Sequence, residues 1–180
     1  MKVLDLFSGV GGFSLAGHWA GMTTAAFCEI EPFCQKVLRK NFPGIPIYED
    51  VTRLTREQLE KDGVMSDSDP IRLICGGIPC QPFSVSGKQL GTEDERHLWP
   101  EMYRLVKEIR PTWVLVENVA GFIKSALDLV INDLENEDYE TGTFVIPAAA
   151  VGAPHKRERI FIVGYTKRSG CGGESWGRTG

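Results

Sequence analysis

No apolar run in this 180-residue chain approaches membrane-spanning length, and the sequence opens on a strand-like segment rather than a signal peptide. Its five cysteines are odd in number and include no CxxC pair, which argues against both a disulfide framework and a zinc site. No metal is expected, and a reducing cytoplasm is the natural home. Basic residues are not in excess. A net charge of −4 and a pI near 5.5 are not the footprint of a stand-alone nucleic-acid binder. There is no internal repeat, no low-complexity linker and no P-loop lysine, and the last absence argues against ATP.

What is present is ordinary in bulk and specific in detail. With 42% hydrophobic and 24% charged residues, the chain can build one globular domain around a substantial core. Strands are expected at 2–7, 24–29, 45–48, 71–75, 113–117, 144–149 and 159–165, and helices at 12–20, 32–41, 55–61, 98–109 and 122–137. Pro32 suits the first turn of its helix, and Pro43 lies just past that helix's end. This alternation predicts an α/β fold of Rossmann-like type, a mostly parallel sheet with helices on both faces. Residues 1–166 form the expected domain. The glycine-rich stretch 167–180 has no periodicity and reads as a variable loop or linker.

The first strand runs into Asp5-Leu6-Phe7-Ser8-Gly9-Val10-Gly11-Gly12-Phe13. Gly9, Gly11 and Gly12 allow a sharp turn and a close approach of backbone to ligand at a helix N-terminus. The spacing is not the G-x-G-x-x-G of dinucleotide enzymes. Glu29 ends the second strand, where an acid typically receives ribose hydroxyls, and Asp50 ends the third. Each alone reads as a solvated carboxylate. Together with the glycine turn they favour an adenosine-bearing cofactor.

A second constellation carries chemistry. The apolar run 71–75 leads into Gly77-Ile78-Pro79-Cys80-Gln81-Pro82-Phe83-Ser84, whose prolines and glycines make a loop at a strand's carboxyl end. A thiol there is a candidate nucleophile, although most cysteines simply pack as small hydrophobes. Cys28, Cys34, Cys75 and Cys171 are left with that packing role. Val114-Leu115-Val116 ends in Glu117 and Asn118, and a neighbouring parallel strand would bring Glu117 close to Cys80. A thiol and an acid in one crevice suggest covalent catalysis with acid assistance. The three histidines suggest no protease-like dyad. The basic run Lys156-Arg157-Glu158-Arg159, followed by Lys167 and Arg168, is solvated surface in most proteins. If this chain handles nucleic acid, that cluster must help or another polypeptide must supply positive surface.

Taken in order, these residues resemble the cytosine-5 DNA methyltransferases. The glycine turn looks like that family's first S-adenosyl-L-methionine motif, and 77–84 with Ser86-Gly87-Lys88-Gln89 looks like its catalytic loop. Glu117-Asn118-Val119 matches its Glu-Asn-Val motif, and Gly152-Ala153-Pro154-His155-Lys156-Arg157-Glu158-Arg159 its arginine motif. The resemblance implies methyl transfer from S-adenosyl-L-methionine to carbon 5 of a cytosine flipped out of duplex DNA. It implies that Cys80 adds to carbon 6 and that Glu117, with raised proton affinity, holds ring nitrogen 3 and the exocyclic amine. Arg157 and Arg159 would hold the base, the carboxylate and nearby phosphates. The implied cofactor residues are Phe7, Ser8, Gly9, Gly11, Gly12, Glu29, Ile30, Asp50, Val51, Pro79 and Leu98. The implied substrate contacts are Ile78, Gln81, Ser84, Asn118 and Val119, with Asn118 bracing the loop.

Three departures stand out. Ile30 replaces an aromatic common over the adenine, and His155 replaces a common glutamine. The sequence given stops about where a target-recognition region would begin in the family, with a further motif and helix beyond it. The resemblance therefore implies an incomplete catalytic domain, completed by a second polypeptide or by missing sequence. A transferase acting on tRNA and a non-catalytic cofactor-binding remnant or subunit are the competing readings.

Overall fold

The computed structural model describes residues 1–79, 98–121 and 126–166. In chain order the elements are β1 (Lys2–Leu6), α1 (Gly12–Trp19), β2 (Thr23–Cys28), α2 (Pro32–Asn41), β3 (Ile47–Tyr48), α3 (Arg56–Lys61) and β4 (Leu73–Gly77). They continue with α4 (Trp99–Ile109), β5 (Trp113–Val119), α5 (Leu127–Asn136), β6 (Glu140–Pro147) and β7 (Glu158–Tyr165). The sheet order is β3-β2-β1-β4-β5-β7-β6. Strands β1 to β5 pair in parallel, and β7 runs antiparallel between β5 and β6.

Local chemistry explains most element boundaries. Pro32 sits in the first turn of α2, where its missing N–H costs nothing. The Thr55 side chain accepts from the Gln58 N–H at 3.2 Å and so caps α3. Helix α4 buries Trp99, Met102, Leu105, Val106 and Ile109 along one stripe and ends at Arg110, whose φ of 54° leads into Pro111. Strand β3 is only two residues long, shorter than 45–48, because Pro46 has no N–H to continue the ladder. The strand expected at 144–149 begins earlier, at Glu140, and gives way to a 3-10 turn over Ala148–Val151. Pairing with β7 recruits Glu140 through Thr143, although Glu140 and Gly142 have little strand character of their own.

The two sheet faces are covered unequally. Val114, Val116, Ile160 and Ile162 belong to one buried core with residues of α4 and α5. On the other face α1 covers Val3, Leu73 and Cys75 through Phe13. Farther along that second face Leu115, Phe161, Val163 and Tyr165 are only half-buried, and Phe144 and Ile146 are exposed. Among the described residues no helix is long and apolar enough to cross a membrane.

Candidate active site

After β1 the chain winds outward to β2 and β3, then returns to place β4 on the other flank of β1. The carboxyl ends of β1 and β4 therefore diverge, and that crevice is where open α/β sheets bind ligands. The turn after β1 is held from below. Ser8 Oγ lies 2.6 Å from the Asp5 carbonyl oxygen and 3.3 Å from that of Cys28. The Gly11 N–H donates to the Ser8 carbonyl at 2.9 Å, closing the turn. Phe7 carries a φ of 52°, an uncommon conformation for an aromatic residue.

Glu29 organises the other wall. The Gly9 N–H donates to Glu29 Oε2 at 2.6 Å, and the Glu31 N–H donates to Oε1 at 2.8 Å. Gln35 Nε2 donates to the Glu29 backbone carbonyl at 2.8 Å. Each carboxylate oxygen keeps a further lone pair, so the pair of oxygens can still accept from vicinal hydroxyls. A cleft of about 230 Å³ opens here, lined by Phe7, Glu29, Ile30, Asp50, Val51, Pro79 and Leu98 from the expected set. Cys28, Glu49, Thr52 and Gly77 complete it. Asp50 Oδ1 accepts from the Thr52 N–H and hydroxyl at 2.9 and 2.7 Å, which holds its carboxyl below the usual carboxylate range. Apolar walls with two acidic ends suit a nucleoside, purine between the walls and ribose at Glu29.

Gly11 and Gly12 are expected at the cofactor, and Gly11 has a packing role as well. They line a separate groove of about 1030 Å³ between α1 and α2, with Val10, Leu15 and Phe42. A Cβ at Gly11 would meet Phe42 at 2.6 Å and Leu38 at 2.9 Å, and its φ is +90°. Helix packing, as well as the turn, demands glycine there.

The acid lies one strand over. Parallel pairing sets Gly77 opposite Glu117, and a Cβ on Gly77 would sit 3.0 Å from Glu117 Oε2. Arg159 Nε donates to Glu117 Oε1 at 2.8 Å from the neighbouring β7. Burial pushes the Glu117 carboxyl up, while Arg159 and then Arg157 pull it down. Arg157 is exposed, with a φ of 36°. Asn118 is buried, and its Nδ2 donates to the Ile78 carbonyl at 3.4 Å while its Oδ1 accepts from the Val119 N–H at 2.8 Å. Ile78 itself packs in the core, so its carbonyl rather than its side chain belongs to the site. An apolar residue at a strand's end gains from such burial. Cys80, Gln81 and Ser84 lie outside the described residues, as does Cys171.

Asp5, Ser14 and Gln35 are functional supports that sequence reasoning left without a role. All three are buried. Ser14 Oγ donates to Asp5 Oδ2 at 2.7 Å, whereas Asp5 Oδ1 has no hydrogen-bond partner among the described residues. Burial pushes the Asp5 carboxyl up to about 7, against the opposing effect of the Ser14 hydrogen bonds. The available signal was a polar residue on an apolar face, Asp5 within Val3-Leu4-Asp5-Leu6 and Gln35 beside Leu38 on the buried side of α2. Burial pushes the Cys28 thiol up to about 12 and also holds the Cys75 thiol well above its ordinary value, in keeping with packing roles.

Comparison with known proteins agrees with this geometry. The chain is 36% identical over 177 residues to the Type II methyltransferase M.AquIA of Picosynechococcus, a match covering 91% of this chain and 71% of that protein. It is 35% identical over 168 residues to the Type II methyltransferase M.HhaI of Haemophilus parahaemolyticus, covering 91% and 48%. Among solved structures, a DNA modification methyltransferase encoded within an E. coli prophage superposes with a TM-score of 0.78 at 34% identity, covering 93% of this chain and 47% of that one. The chain thus spans less than half the length of two of these three relatives. The sequence profile of the C-5 cytosine-specific DNA methylases matches residues 1–173, and the chain belongs to that family.

Proposed function

We propose that this chain is the cofactor-binding and catalytic part of a DNA (cytosine-5-)-methyltransferase of restriction-modification type. The observation that carries the proposal is the Gly77–Glu117 register, which sets a half-buried acid against the strand that leads into Pro79 and Cys80. S-adenosyl-L-methionine is the family's methyl donor, and when bound it supplies an electrophilic methyl group on a sulfonium. Phe7, Ile30, Val51, Pro79 and Leu98 would hold its adenine, Glu29 its ribose, and Asp50 the purine amino group.

The chain's own residues then account for the rest. Cys80, as thiolate, adds to carbon 6 of a flipped cytosine. Glu117, whose proton affinity burial raises, donates a proton to ring nitrogen 3, so the electron pair pushed in by sulfur is not left as a free anion. Carbon 5 becomes nucleophilic and takes the methyl group. Loss of the carbon-5 proton to water, expulsion of the thiolate and return of the nitrogen-3 proton to Glu117 restore the neutral aromatic ring and free Cys80. Arg159 orients Glu117, and Arg157 beside it faces solvent where a phosphate would approach. Asn118 fixes the Ile78 carbonyl at the entrance to the Cys80 loop.

A further polypeptide region, on this chain or a second one, completes the enzyme in this reading. Two facts support it: the relatives are longer, and the sheet face around Glu117 presents Phe144, Ile146 and Phe161 without a covering element among the described residues. Residues 1–166 then form the catalytic domain.

The test is methyl transfer from labelled cofactor to duplex DNA and to tRNA, by the chain alone and with candidate completing polypeptides. Duplex DNA containing 5-fluorocytosine should trap a covalent adduct that the Cys80→Ser variant cannot form. Transfer to tRNA alone, or an adduct that survives in Cys80→Ser, would overturn the proposal.

A further inference from the structure

Between Asp50 and Thr55 the chain makes an irregular stretch that carries one wall of the nucleoside cleft, with Asp50, Val51 and Thr52 on it. A stretch outside helix and sheet cannot satisfy its own carbonyls, and buried ones need partners. Val51 and Leu54 are both buried. Their carbonyl oxygens accept from a single atom, Arg104 Nη2, each at 2.9 Å. The remaining sides of the same guanidinium are also engaged. Nε donates to Glu101 at 2.9 Å and Nη1 to Glu108 Oε1 at 2.7 Å, one helical turn either way on α4. Glu108 Oε2 in turn accepts from the Arg56 N–H at 3.1 Å, at the first residue of α3. Helix α4 begins directly after Leu98, which lines the same cleft.

We propose that Arg104 is a positioning residue for cofactor binding: it ties the Val51–Leu54 turn to α4 and so sets the spacing between the Asp50–Thr52 wall and Leu98. It touches no ligand itself. The inference rests on reading this cleft as the adenosine site. Two acidic partners on its own helix aim the guanidinium, and its planar fork lets one side chain serve carbonyls and carboxylates at once. Lysine in its place would keep the charge, but a single ammonium cannot serve four acceptors spread around the fork.

The experiment uses Arg104→Lys and Glu108→Gln variants of this chain, with S-adenosylhomocysteine and 5′-methylthioadenosine as probes. Isothermal titration should show Arg104→Lys weakening both ligands by the same factor, about tenfold, the scale of losing one hydrogen bond. Glu108→Gln should weaken both by a smaller, equal factor. Hydrogen exchange without ligand should accelerate at residues 51–54 and leave β1 and β4 unchanged. A role confined to general stability would lower the melting temperature without that equal, ligand-specific loss. The proposal is overturned if the folded Arg104→Lys chain binds both ligands as the parent does, or loses affinity only for the ligand carrying the amino-acid tail. If the parent chain binds neither ligand, the cofactor reading of the cleft fails. Unchanged exchange at 51–54 would still, separately, sink the tie made by Arg104.

Discussion

Arg159 Nε donates to Glu117 Oε1 at 2.8 Å, across the antiparallel pairing of β7 with β5. Burial raises the Glu117 carboxyl, and Arg159 is the largest influence lowering it. Burial thus favours the neutral acid and the guanidinium favours the carboxylate, with burial the larger influence.

Replacing Arg159 by alanine should raise the Glu117 pKa further, because the desolvation remains and its main opposing charge is gone. Carboxyl chemical shifts followed through a pH titration would show it. A fall in that pKa would contradict the assigned cause.

Glu117→Gln keeps an oxygen to accept from Arg159 but removes the transferable proton. Methyl transfer by the complete enzyme should drop by about 10² to 10⁴, the range for losing a general acid, with little change in cofactor affinity. Single-turnover transfer and equilibrium titration with S-adenosylhomocysteine separate the two quantities. Equal losses in both would assign Glu117 to binding instead.

Asp5 should make the fold less stable as pH rises. Its carboxyl is displaced from 3.8 to about 7, so between those values the folded chain holds a proton that the unfolded chain releases. That contribution is fully present below the unfolded pKa and is lost as pH rises through the folded one, up to about 4 kcal/mol across the window. Asp5→Asn should flatten this part of the profile in denaturant unfolding from pH 4 to 8. An unchanged slope would mean that Asp5 is not its source.

Gly76→Ala should cost more stability than Gly9→Ala. The new Cβ would meet the Leu6 carbonyl oxygen at 2.8 Å, a backbone atom that cannot swing away, whereas nothing lies within 4 Å at Gly9. Overpacking of that kind costs about 1–3 kcal/mol. Alanine at Gly9 meets only its φ of +54°, worth about 1–2 kcal/mol. Urea midpoints of the two variants decide the order.

Glu29→Gln should weaken S-adenosylhomocysteine about tenfold, since an amide NH₂ would face either the Gly9 or the Glu31 N–H and forfeit one contact worth roughly 1–3 kcal/mol. Undiminished binding would remove Glu29 from the ribose site.

Much of this architecture was legible in advance because it rests on local rules. The α2 span 32–41 follows from Pro32 and the apolar stripe, and the seven strands from short β-branched runs between turn formers. Phe7, Glu29, Asp50 and Pro79 share one cleft because each ends a parallel strand, and parallel strands end on the same side. Less legible was anything that depended on what lies across from a residue. Gly11 looks like a ligand-facing glycine in sequence, yet the Phe42 ring on α2 is what its missing side chain accommodates. Ile78 sits in a functional motif and is core.

The sequence by itself determined the order of strands and helices, the chemical types at each strand end, and membership in a family whose motifs are short and contiguous. Tertiary structure alone decided the Gly77–Glu117 register, the Arg159–Glu117 pair, the burial of Asp5 against Ser14 and the grip of Arg104 on two carbonyls 50 and 53 residues away. The physical reason is range. Propensity, capping and periodicity act within a few turns of chain, whereas a buried charge takes its partner from whichever element the core's packing brings beside it.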